Sequence, residues 1–265
     1  MDLHKLQTYP DPVLDRQLEE LFRMLAKPTG SGAPTVLPRY VGDEYLDETA
    51  GIWYKAVGLA VTDWRADNRF GVTPDYSEFE ADGTLVAYGG ATVWDDINVS
   101  LVVQTSGAAA PTNIAFKDDT GVGALKCPAF SGTNAIPDEL PSSLEVLHGL
   151  KEGSDVHLHL HWYPTDTNVG NVKWQARYVW FNRGTVPGAP ATASVTQAAG
   201  GVAWQEHTAV FTLDGTGKTM GSRLVFNIFR DATDAADTYA HLAAVTDVGV
   251  HYEKDTQGSR QILVK

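Results

Sequence analysis

A single cysteine, Cys127, in 265 residues excludes an intrachain disulfide and any cysteine-rich zinc site, so the fold has to stand on packing. Basic residues are also scarce. Twenty Lys and Arg against 33 Asp and Glu leave a formal net charge of -13, and no run of them is dense enough to neutralise a phosphate backbone. No nucleic-acid partner is therefore expected, and the acidity favours solubility. No window approaches the roughly 18–20 apolar residues of a membrane span. The start, Met1-Asp2-Leu3-His4-Lys5, lacks the apolar core of a secretory signal, so synthesis in a cytoplasm is expected. Gly-x-Ser-x-Gly, Walker and His-Glu-x-x-His motifs are absent too, which leaves no recognisable catalytic signature and no cofactor to expect.

What is present begins with one convincing helix, predicted over Asp11–Lys27. Asp11 is a good N-cap and Pro12 a good first residue, and Leu14, Leu18, Leu21, Phe22 and Leu25 recur at helical spacing. A lone amphipathic helix of about four turns is marginal in water, so this stripe should cover another surface, in this chain or on a partner. Residues 28–38, PTGSGAPTVLP, read as a linker. Residues 39–70 read as a small aromatic β-hairpin module, in which Trp53, Tyr54 and Trp64 serve receptor contact or subunit packing.

Residues 71–265 carry short alternating segments separated by turns. The fold class expected is mainly β: an antiparallel jelly-roll-type β-sandwich preceded by the N-terminal helix and the hairpin module. At the centre of this region, Val156 to Trp162 alternates apolar and imidazole side chains, placing Val156, Leu158, Leu160 and Trp162 on one face and His157, His159 and His161 on the other. Val172 to Trp180 alternates likewise, and the two strands read as a hairpin with a medium loop. Residues 131–141 and 185–201 read as connections. Trp94, Trp162, Trp174 and Trp180 are expected in the core.

The histidine row admits two readings. As metal ligands, His157, His159 and His161 stand about 6.5–7 Å apart along the strand, too far for all three to reach one Zn²⁺ without bending it. Copies of one histidine about the axis of a trimer would not meet that obstacle. The other reading is a polar or interfacial face held by hydrogen bonds. The pairs Asp95–Asp96, Asp118–Asp119 and Asp234 with Asp237 do not make a glycosidase, because neighbours on a strand face opposite ways and turn aspartates are ordinary turn chemistry.

The string GDEYLDETAGIWYKAVGLAVTDW, from Gly42 to Trp64, resembles a β module of tailed-bacteriophage appendage proteins. The main domain adds Trp94-Asp95-Asp96, Lys151-Glu152-Gly153-Ser154-Asp155, His159-Leu160-His161-Trp162, Val172-Lys173-Trp174, Phe229-Arg230-Asp231, His251-Tyr252-Glu253-Lys254-Asp255 and Gly258-Ser259-Arg260-Gln261. Together these resemble a virion-associated domain of tailed phages, over roughly Thr92 to Gln261, with His157 a departure from the shorter His-x-His-Trp. The resemblance implies a structural protein of the virion, a fibre (head or tail) or collar appendage, trimeric, and not an enzyme. It would be attached through residues 1–27 to portal, adaptor, tail or capsid proteins. The alternatives are a module binding host-surface glycan and, behind it, a polysaccharide hydrolase.

Overall fold

The computed structural model describes residues 27–80, 83–100 and 110–262. Among them there is no α-helix, and so none long and apolar enough to cross a membrane. The helix expected over Asp11–Lys27 lies, but for its last residue, outside the described residues. The chain forms two compact units, Met1–Gly83 and Thr84–Lys265.

In the first unit, β1 (Thr29–Gly30), β2 (Glu44–Asp47), β3 (Ile52–Ala56) and β4 (Trp64–Ala66) form one sheet in that order, with β1 parallel to β2 and the rest antiparallel. The supposed linker is thus tied down. Its first residues pair with Leu46 and Asp47, Asp47 accepts the N–H groups of Gly32 (2.9 Å), Thr49 (3.0 Å) and Ala50 (3.2 Å), and the Val36 carbonyl accepts the Trp64 indole N–H at 2.7 Å. Glycine- and proline-rich chain has its backbone groups free, and here a sheet edge and a carboxylate claim them. The unit also runs past the expected limit at residue 70, because β5 (Arg69–Val72) and β6 (Asp75–Phe79) form a hairpin in it, with Arg69 donating to Glu78 at 2.9 Å.

Asp43, 1% exposed, accepts both Nε–H (2.9 Å) and Nη2–H (2.6 Å) of Arg39 and two backbone N–H groups. The Arg39 hydrogen bonds hold its carboxyl below the usual range, against the opposing effect of burial. Because the folded value is depressed, the stability Asp43 contributes is fully present above a pH of about 4, the unfolded value, and disappears as pH falls through the folded one. The Asp43→Asn variant should therefore be less stable than the parent at pH 7, with the difference shrinking toward pH 2. Thermal melts across that range, followed by the fluorescence of the first unit's tryptophans, check this.

The second unit opens with β7 (Leu85–Tyr88), bridged to Thr256 through Val86. It then builds a sandwich from β8 (Val93–Val99), β9 (Thr112–Ala115), β10 (Lys126–Phe130), β11 (Glu139–Glu145), β12 (Val156–Pro164), β13 (Asn171–Phe181), β14 (Ala191–Ala198), β15 (His207–Leu213), β16 (Arg223–Arg230) and β17 (Ala243–Lys254). One sheet runs β15-β12-β17-β10-β9, with β8 also paired to β17; the other runs β11-β16-β13-β14. Among the described residues every pairing between these strands is antiparallel, and from β10 to β13 and again from β14 to β17 each strand crosses to the opposite sheet, as in a jelly roll.

This arrangement corrects three expectations. The strands β12 and β13 are not a hairpin: β12 pairs with β15 and β17, and β13 with β14 and β16, so they face each other across the core. The apolar faces that period two creates are satisfied against one another rather than side by side, and Trp162 meets Trp174 at 5.8 Å between ring centroids. Part of the 185–201 connection is the strand β14, and part of the 131–141 connection is β11, which contains Pro141. Both are edge strands, where small residues and a missing N–H are tolerated. Of the four tryptophans expected inside, Trp162, Trp174 and Trp180 are buried with Leu158, Leu160, Phe211, Leu224 and Ile228, but Trp94 is 56% exposed. Among the described residues the strand β8 pairs only with β17, and Trp94 lies on its outer side.

Candidate functional site

The outer face of the six-stranded sheet holds the chemistry. Strand register puts His157 beside Thr212 and His251, His159 beside Val210 and Gly249, and His251 beside Asp96. The His159 ring reaches across β17 to Asp96 on β8, with Nε2 to Oδ1 at 3.0 Å. Gly249 permits this, because a Cβ there would overlap the His159 ring and crowd the Asp96 carboxylate. A glycine within a strand often marks a close approach of this kind. His251 lies against the same carboxylate, Nε2 to Oδ2 at 3.4 Å, and its ring centroid is 4.3 Å from that of His159.

On its other side His159 Nδ1 lies 3.0 Å from His161 Nε2, and His161 Nδ1 lies 2.6 Å from Glu206 Oε1. The hydrogen bond from His161 holds the Glu206 carboxyl below its ordinary range. Burial alone would raise the Asp96 carboxyl, but the hydrogen bond and charge of His159 and the charge of His251 keep it low. His157 stands apart, bonded through Nδ1 to Thr212 Oγ1 at 3.0 Å and packed against Trp94 at 5.3 Å.

The three-histidine set therefore divides. His159 belongs with Asp96 and His251, His161 backs it up, and His157 belongs with Trp94. The ligand-type atoms of Asp96, His159 and His251 all lie within 4.8 Å of one another. Sequence reasoning missed His251 and Glu206 as partners, since their distance along the chain hides a cross-strand meeting. Gly249 between Val248 and Val250 was the one local sign. Asp95 faces away from Asp96, accepting Lys254 Nζ (3.0 Å) and the Tyr252 hydroxyl (3.2 Å), and burial beside it pushes the Tyr252 phenol up to about 12.

Next to this cluster a cleft of about 480 Å³ is lined by Trp94, His157, Lys151, Glu152, Asp155 and Glu253, among others. Lys151 and Glu253 pair across it at 2.8 Å. In the first unit, Tyr54 and Trp64 line a cleft of about 550 Å³ with Arg65 and Arg69, and Tyr45 stands within 6.4 Å of each ring. Trp53 alternates to the opposite side of β3, beneath Lys27, so the three aromatics do not form one site. Leu14, Leu18, Leu21, Phe22 and Leu25 lie outside the described residues.

Fold and site together define an antiparallel β-sandwich protein with a polar, imidazole-rich outer sheet face. No protein-family model matches the sequence, and no curated protein matches it significantly. Among solved structures it is similar to dimeric latent PorU from Porphyromonas gingivalis, at 8% identity and TM-score 0.31 over 62% of this chain and 13% of that one. It is also similar to the enzymatically active domain of tailspike protein 4 of bacteriophage CBA120 (8%, 0.28, 62% and 19%). A third is the CBM22-2 xylan-binding domain of Paenibacillus barcinonensis Xyn10C (19%, 0.26, 53% and 98%). The chain thus spans only a small part of the first two.

Proposed function

We propose that this chain is a non-enzymatic structural component of a tailed-phage virion, an oligomeric fibre or collar appendage whose outer sheet face is its binding surface. One observation carries the reading. The segments that resemble the virion-associated domain are far apart in sequence, yet Trp94 and Asp96, Lys151 to Asp155, His159 and His161, and His251 and Glu253 meet on one surface. Residues 1–27 attach the appendage to the particle, and three copies assemble. The test is quantitative mass spectrometry of purified particles together with light scattering of the purified protein. The chain should be present in fixed copy number and have a solution mass near three times 28.7 kDa. Absence from particles would overturn the assignment.

A second reading is favoured by Trp94. An indole 56% exposed beside charged and hydroxyl-bonding side chains offers a stacking platform for a sugar ring, with Lys151, Glu152 and Asp155 to hold its hydroxyls. If host-surface glycan binds here, Trp94→Ala should weaken binding about tenfold or more, the equivalent of about 1.4 kcal/mol, with an unchanged melt because the ring is on the outer face. Glycan arrays followed by calorimetry read this, and silence on both would remove the reading.

A further inference from the structure

The geometry points to a binding site for a divalent transition-metal ion of the zinc class on Asp96, His159 and His251, with one coordination position open to solvent. Ligand atoms about 2.0–2.1 Å from a tetrahedral ion lie about 3.3 Å from one another. His159 Nε2 and Asp96 Oδ1 are already 3.0 Å apart, and His251 Nε2 and Asp96 Oδ2 are 3.4 Å apart. These contacts use the two oxygens of Asp96; with one ligand atom from each residue, all three lie within 4.8 Å of one another, and His251, half exposed, is the least enclosed of them. Two imidazoles and one carboxylate suit zinc and its neighbours rather than magnesium or calcium, which take oxygen shells.

The hydrogen-bond chain behind His159 accommodates such an ion. Glu206 is an acceptor, so His161 donates Nδ1–H to it, and in the neutral ring Nε2 then carries the lone pair. In that tautomer the lone pair accepts a hydrogen bond from His159 Nδ1–H, and His159 Nε2 turns its own lone pair toward Asp96 Oδ1. A metal ion there satisfies every group with neutral histidines, and the Glu206–His161 pair then does what an outer shell does for a metal-bound imidazole: it fixes the tautomer and the ring. A proton on Nε2 is the competing occupant. His159 is only 6% exposed and sits in the space that Gly249 leaves, so one ligand is held in place before any ion arrives. The three ligands lie on β12, β17 and β8, three neighbouring strands, so a bound ion would also staple the outermost strand to the sheet.

The test uses full-length, untagged protein stripped with chelator and titrated with Zn²⁺ by calorimetry, with Mg²⁺ as control and Co²⁺ as a visible-spectrum probe. The expected result is one equivalent per chain, a melting temperature raised by Zn²⁺ but not by Mg²⁺, and cobalt bands from mixed nitrogen and oxygen ligands. His251→Ala and Asp96→Asn, both at exposed positions, should weaken binding by more than about 100-fold, since loss of an outer-shell partner alone costs about 10–100-fold. Glu206→Ala should fall in that lower range. His157→Ala should bind as the parent does, which separates this site from the histidine row at large. Absence of saturable one-to-one binding would overturn the proposal and leave the proton as the occupant. Equal binding by the parent, His251→Ala and Asp96→Asn would overturn it as well. None of these results depends on whether the chain is found in virions.

Discussion

Replacing Arg230 with alanine is expected to destabilise the second unit by about 3–5 kcal/mol, the cost of breaking a buried ion pair from one side. Arg230 is 1% exposed and donates Nε–H and Nη2–H to both oxygens of Asp237, at 2.8 and 2.7 Å. It also donates to the carbonyls of Tyr239, His241 (2.6 Å) and Phe130 (3.4 Å). Arg230 ends β16 and Phe130 ends β10, so one guanidinium joins the two sheets and organises the 231–242 loop between them. The neighbouring Gly132 is part of the device, since a Cβ there would run into the Tyr239 carbonyl and Arg230 itself. Without the cation, the Asp237 carboxylate and three carbonyls stay buried with fewer partners. Lysine cannot restore the forked contact, so Arg230→Lys should recover only part of the loss. Urea unfolding midpoints of the two variants measure this. A loss below about 1 kcal/mol, the worth of a surface pair, would mean that water reaches Asp237 and the network is not what joins the sheets.

Trp174→Ala should cost about 3–5 kcal/mol through the cavity it opens. The indole lies at the middle of the sandwich, 5.1 Å from Phe130 and 5.8 Å from Trp162 between ring centroids, fully buried. Its Nε1–H finds no acceptor among the described residues. Trp174→Phe loses ring volume but also removes that unsatisfied donor, so it should cost markedly less than the alanine variant. Trp162 provides the contrast, because its Nε1–H donates to Gln197 Oε1 at 2.7 Å. There, replacement by phenylalanine strands Gln197 and should cost more than the same change at residue 174. Denaturation of the three variants checks both the size of the effects and their order, and equal costs for Trp174→Phe and Trp162→Phe would contradict the assigned role of the indole nitrogens.

The alternation of Val156 to Trp162 determined by itself that a strand lies there, which side chains enter the core and which side carries imidazole. Period two needs only the covalent geometry of a strand and an apolar interior, both local properties. The same holds for the single cysteine, the acidity and the mainly β character. What alternation does not contain is the identity of a strand's neighbours. Burial of Trp162 and Trp174 satisfies the pattern equally well in a hairpin or across a sandwich, and the tertiary structure chose the latter. It also decided that Ala191–Ala198 is an edge strand although its residues are small, and that Trp94 on outermost β8 stays outside. The site shows the same division. Three histidines on one face were legible from spacing. That His159 meets Asp96, 63 residues away, and shares it with His251 was decided by the register of β8, β17 and β12 and by the gap at Gly249, because cross-strand meetings are fixed by long-range pairing and not by any local pattern.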